Sequence, residues 1–254
     1  MPGRPYVLAE TNWKSVKDTR YEVAILPWGA TEPHNFHLPY GTDVYETRHI
    51  SERAAEFAWK KGAKVVTLPT VPFGVNTGQL DLRLAINMNP STQFAVLTDV
   101  ASAISGQGIR KLLILNGHGG NDFKQMIREL QPKFDLFICA INWWTCVKST
   151  EIFDEPGDHA GEMETSLMMA LEPDLPLPIK EAGPGKGRKF RIPGLRDGWA
   201  WAPRQWTRVT DDTGTGNPYA ATVEKGERFV RAVTERIGGF LVDLAAADLN
   251  NMYE

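Results

Sequence analysis

Lys111-Leu-Leu-Ile-Leu-Asn-Gly-His-Gly-Gly-Asn121 is the stretch on which the fold turns. A run of leucine and isoleucine that stops at Asn and Gly is short for a helix and too uniformly apolar for a strand with one wet face. Leu112–Leu115 therefore reads as a strand buried on both sides. Outward from it, Val23–Leu26, Lys64–Leu68 and Leu136–Ile141 have the same character and mostly end at Pro, Gly or Asn. Val44–Lys61, Ser91–Gln107 and Asp122–Gln131 instead place apolar residues at three- and four-residue spacings, as helices covering a sheet do. Asn89-Pro90-Ser91-Thr92 supplies capping residues and an early proline for the second of these. Strands alternating with helices through right-handed crossovers predict an α/β fold, a three-layer α/β/α sandwich with a mainly parallel central sheet.

At 254 residues the chain fits one domain of this kind, 1–254. From 183 to 217 the composition shifts to Gly, Pro, Arg and Trp without periodicity, which reads as an irregular arm, and a long amphipathic helix from Ala220 to about Asp248 follows. A formal charge of −3, with 28 scattered Lys and Arg, offers no basic field for nucleic acid. The start, Met1-Pro-Gly-Arg-Pro, lacks a signal-peptide core, and no apolar run approaches a membrane span, so the reading is a cytoplasmic protein without membrane contact. Cys139 and Cys146 fall on a strand and the turn after it, where a disulfide would be strained, so both are expected free.

Four of the five histidines stand near carboxylates in three short motifs: Glu32-Pro-His34 running on to Asp43, Asn116-Gly-His118-Gly-Gly-Asn121, and Asp158-His159-Ala-Gly-Glu162-Met-Glu164. Imidazole nitrogen with carboxylate oxygen suits zinc, manganese or iron(II) better than calcium or magnesium. Two of the motifs follow strands, and open α/β sheets bind ligands beyond the carboxyl ends of their strands. Glu32 and His34, two apart in an extended loop, point the same way. Glycines flank His118 and let the backbone turn sharply there. The composition thus suggests a hydrolytic metalloenzyme. Gly117, Gly119 and Gly120 are not a phosphate loop, since no Lys-Ser/Thr follows them.

The run from Leu26 to Asp43, the Asn-Gly-His-Gly-Gly-Asn of 116–121, the His-Ala-Gly-Glu-Met-Glu-Thr-Ser of 159–166 and the Ala-Thr-Val-Glu-Lys-Gly-Glu of 221–227 together resemble the creatininase (creatinine amidohydrolase) family. The resemblance implies a three-layer subunit, two divalent ions, with zinc first and manganese or iron as alternatives, and a homo-oligomer, often a hexamer. By position it implies that Glu32 and His118 ligate one ion, that His34 ligates the other and that Asp43 bridges them. Two departures stand out. Gly120 occupies the place where creatininase itself carries a ligating glutamate, so Glu164 becomes the candidate fifth ligand. Phe73–Asn87 also lacks the family's usual pattern, carrying Gln79-Leu-Asp-Leu-Arg-Leu-Ala-Ile-Asn instead, which leaves substrate identity open.

The implied reaction is hydrolysis of a C–N bond in a small or cyclic amide by a hydroxide bridging two ions about 3.5 Å apart, whose parent water is acidified from near 16 to about 7. His159 is the candidate general acid, and Glu162 either orients His159 or accepts the water's proton, with helix capping as its structural alternative. Trp143 and Trp144 are candidates for an apolar wall over the substrate. His37 and His49 are expected in supporting roles. Trp199, Trp201 and Trp206 in the arm suit a subunit contact or a ligand. Two other readings remain: a formamidopyrimidine deformylase or modified-peptide peptidase with the same ligands, and a non-catalytic subunit in which metal staples the loops.

Overall fold

Successive residues of the central strands point to opposite faces of the sheet, and this sequence supplies apolar side chains to both. In the computed structural model, which describes residues 3–155 and 157–254, the strands are β1 (Val23–Trp28), β2 (Val65–Thr67), β3 (Lys111–Asn116) and β4 (Phe137–Asn142). They pair in parallel in the order β2-β1-β3-β4. Each lies on one of the four expected runs, with ends shifted by one or two residues.

Val23, Ile25, Leu113 and Leu115 face one layer of helices, formed by α1 (Thr42–Lys60), α4 (Glu162–Leu171) and α5 (Val223–Ala246). Ala24, Leu26, Trp28, Leu112 and Ile114 face the other, formed by α2 (Pro90–Gly106) and α3 (Lys124–Leu130). The three-layer α/β/α sandwich follows directly, because a parallel sheet needs both faces covered. Leu113 and Ile114 are wholly buried, and truncating either to Ala would cost about 2–5 kcal/mol.

The register sets up the site. Trp28 pairs with Asn116, and Asn116 with Asn142, so β1, β3 and β4 end side by side and their following loops leave from one edge. The loop after β1 returns as α1, which starts at Thr42 and carries Asp43 in its first turn, not in the preceding loop as the sequence suggested. α4 begins at Glu162, so Glu164 sits in its first turn and is held by a helix. Asn35 adopts a left-handed φ of 55°, which Asn tolerates, and ties the β1–α1 loop to the arm through Gly183 O at 3.0 Å. The arm has only short helical turns, Pro193–Arg196 and Trp206–Val209, and is stitched by Arg188 N–H to Val209 O and by the buried Asp212 carboxylate, which accepts from the backbone of Gly185 and Gly214. Cys139 and Cys146 are unpaired. Among the described residues, no helix is long and apolar enough to cross a membrane.

Candidate metal centre

Glu32, His34, Asp43, His118 and His159 are all at least nine-tenths buried and meet beyond the carboxyl ends of β1 and β3. Glu164 joins them from the first turn of α4. Three overlapping sets have ligand atoms close enough to share an ion: Glu32 with Asp43 and His118, His34 with Asp43 and Glu164, and Glu32 with His34 and His159. All five residues the sequence nominated as ligands therefore come together, and so does the nominated acid, His159.

Each histidine is anchored by a backbone carbonyl, which can only accept a hydrogen bond. His34 Nδ1 donates to Glu32 O at 3.0 Å, His118 Nε2 to Val75 O at 3.1 Å, and His159 Nε2 to Pro33 O at 3.0 Å. The opposite nitrogen of every ring consequently faces the carboxylates with a lone pair. His118 Nδ1 lies 3.0 Å from both Glu32 Oε1 and Asp43 Oδ2, and His34 Nε2 lies 3.1 Å from Asp43 Oδ1. Lone pairs opposed at that distance require a cation between them, either a proton on the ring or a metal ion. Asp43 Oδ2 is buried without a hydrogen-bond partner, which is the same requirement seen from the carboxylate. The donor set and its backbone-fixed tautomers fit divalent zinc, manganese or iron.

The electrostatics agree. Burial alone would lower His34, but Asp43 more than reverses this and lifts it to about 10. Burial is likewise overcome at His118 by Glu32 and Asp43, which raise it well above its ordinary value. Burial would raise the Glu32 carboxyl, but His118 and His159 hold it low. Glu46, one turn along α1 from Asp43, is wholly buried with both oxygens unpartnered, and burial followed by Glu164 and Asp43 pushes its carboxyl well up. The centre is a pocket of excess negative charge that protons neutralise when no metal does.

Gly120, where the resemblance implied a ligating glutamate, has no room for one. A Cβ there would stand 2.2 Å from Val75 O and 2.5 Å from His118 Nε2, so the carbonyl that orients His118 fills the space a side chain would need. Motif asparagines given no role by the sequence reading build the rest. Asn116 Oδ1 accepts from His118 N–H and from the Asn121 amide, and Asn121 Oδ1 accepts from Val75 N–H and Gln93 Nε2. Gln79, also missed, donates its amide to Glu32 Oε2.

A cavity of about 810 Å³ opens over the centre, lined by Glu32, Asp43, His118, His159 and Glu164 and walled by Trp143, Trp144, Trp201 and Trp206. Trp143 is 1% exposed with its indole N–H unpartnered, and Trp144 sits edge-on to it at 5.8 Å. The His159 ring lies between His34, at 4.1 Å, and Trp206, at 4.9 Å. Glu162 goes elsewhere: its wholly buried carboxylate takes Lys225 Nζ and the Glu155 N–H. It faces α5, not the cavity, and ties helices together. His37 Nε2 meets Thr165 Oγ1 at 2.9 Å and so steadies the helix that carries Glu164, while His49 pairs with Glu172 away from the centre.

Known proteins share this fold. A provisionally named creatinine amidohydrolase of Bacteroides fragilis is 45% identical and superimposes with a TM-score of 0.92, over 98% of this chain and 99% of that one. A creatinine amidohydrolase of Pseudomonas putida is 27% identical over 60% of this chain and 65% of its own length, a little under two thirds of that relative. A mycofactocin precursor peptide peptidase of Mycobacterium tuberculosis is 23% identical over 83% of this chain and 81% of its own. The sequence pattern described as creatinine amidohydrolase matches residues 9–241, and with that match the chain belongs to the creatininase family of hydrolases.

Proposed function

We propose that this chain is a metal-dependent amidohydrolase that cleaves a C–N amide bond, with Glu32 and His118 holding one divalent ion, His34 and Glu164 a second, and Asp43 offering one oxygen to each. The observation that carries the reading is the convergence of three carbonyl-anchored imidazoles and three carboxylates at the floor of a cavity. When bound, such ions polarise a substrate carbonyl and acidify a water molecule.

The residues around the ligands supply the remaining work. His159 keeps its Nε2 proton on Pro33 O, so Nδ1, 3.8 Å from Glu32 Oε1, is the nitrogen that takes up a proton and returns it to the departing nitrogen of the substrate. Trp206, packed on the outer face of His159, restricts its rotation and shields it from water. Trp144, together with Trp201, offers flat apolar surface to a planar amide.

A small or cyclic amide is the primary substrate class. The cavity's volume lies toward the upper end of the roughly 300–1,000 Å³ typical of ligand pockets, which favours a second reading in which the amide belongs to a larger molecule such as a peptide. The deciding experiment is elemental analysis of purified protein followed by turnover of creatinine, formamides and short peptides with zinc or manganese added. Close to two ions per chain with cleavage of any of these supports the proposal, and the cleaved compound names the class. Fewer than one ion per chain overturns it.

A further inference from the structure

We propose that Gln79 is a positioning residue for the metal centre, which fixes Glu32 as a one-oxygen ligand and is itself held in place by the 183–217 arm. The inference rests on the metal reading above and adds a residue and a route of control to it.

The hydrogen-bond polarity is unambiguous. An ionised carboxylate can only accept, so the Gln79 atom on Glu32 Oε2 is the amide nitrogen. Both side chains are almost completely buried, at 2% and 1% exposure. Glu32 Oε1 is left facing the rings, 3.0 Å from His118 Nδ1, 3.8 Å from His159 Nδ1 and 4.0 Å from His34 Nε2. Without the amide, Oε2 would be an unsatisfied buried anion, and the carboxylate could rotate or chelate with both oxygens. With the amide, the group has one orientation and one free donor atom.

Gln79 ends a tight turn, Thr77–Gln79, in which its N–H donates to Asn76 O at 2.9 Å. On one side its entry is fixed by Asn76, whose N–H goes to Asn87 Oδ1 and whose amide goes to Ile86 O. On the other side the turn lies directly on the arm. A Cβ on Gly78 would meet Arg204 O at 2.1 Å, so the backbones touch. Two residues further on, Asp81 Oδ2 accepts from both Gln205 Nε2 and Thr207 Oγ1. The same short piece of arm carries Trp206 against His159. One irregular segment thus braces a ligand's partner and the proton-transferring ring together, and it does so where the sequence leaves the family pattern, at 73–87. Outer partners of this kind are worth about 10–100-fold in metal affinity.

The test is zinc affinity of the full-length protein, measured by competition with a chromogenic chelator at neutral pH, alongside the melting temperature of each metal-free protein. Gln79→Met keeps the volume and removes the amide. The expected result is a metal-free protein that still melts cooperatively, at a temperature lowered by the unpaired Glu32 oxygen, with zinc held about 10–100-fold more weakly. Asp81→Ala, a change at an exposed side chain that leaves the core intact, is expected to weaken zinc several-fold through the turn. Wild-type affinity in both variants overturns the proposal. Weakening in Gln79→Met alone overturns the arm's share of it. If wild-type protein itself binds no zinc, the metal reading fails first and separately.

Discussion

His118 points Nδ1 at Asp43 Oδ2 across 3.0 Å while its proton is committed to Val75 on the far side of the ring. Asp43 turns its other oxygen to His34. A carboxylate so divided has one oxygen to offer each of the two proposed ions, and on that reading Asp43→Ala is expected to release both. Elemental analysis checks this directly, and two tightly held ions in the variant would remove the bridge.

Glu164 enters only the set containing His34 and Asp43. Glu164→Gln is therefore expected to lose one ion of two while the Glu32–His118 side stays filled. Full occupancy of both sites would mean that another group, with His159 the nearest candidate, completes the second ion's shell.

His159→Ala is expected to keep its metal and lose about 100–10,000-fold in kcat, the usual worth of a placed acid–base group. Metal analysis and turnover on one sample separate the roles. Loss of metal would make Nδ1 a ligand, and unchanged turnover would take His159 out of the reaction.

Glu162→Gln should act on stability. Its partner Lys225 is partly exposed, so the pair's loss is put at about 2 kcal/mol, or roughly 4–8 °C in Tm for a chain of this size. Calorimetry with a turnover assay tests it. A large fall in kcat at unchanged Tm would return Glu162 to the chemistry.

Burial, with help from a charged His34, drops His37 from its ordinary 6.5 to about 4. The folded protein then binds this proton only near pH 4, whereas the unfolded chain binds it near 6.5. The unfolded state holds more protons throughout that window, so stability falls as pH drops from 6.5 to 4. His37→Gln, which can still meet Thr165, should flatten that part of the profile in denaturant titrations. An unchanged slope would assign the pH dependence to other groups.

The strands were legible because buried parallel strands are written as unbroken apolar runs, and Leu112–Leu115 needs no partner to be recognised. The candidate ligands were legible because they lie within short motifs of histidine and carboxylate, two of which follow strands. Glu162 misled for a reason also present in the sequence: two residues apart on a helix, Glu162 and Glu164 point about 200° away from each other, so only one of them can face the cavity. Gln79 was not legible at all. Its segment has no periodicity, and its placement depends on Asp81 meeting Gln205 and Thr207, contacts more than a hundred residues apart that no local pattern announces.

The crowding around Gly120 bears on how such sites diverge. Because Val75 O stands where a side chain would begin, a glutamate cannot be placed at position 120 by exchanging one codon. The loop carrying Val75 would have to withdraw, and His118 would lose the acceptor that sets its tautomer. A side chain at position 120 would thus displace the acceptor of His118 before it could offer a donor of its own.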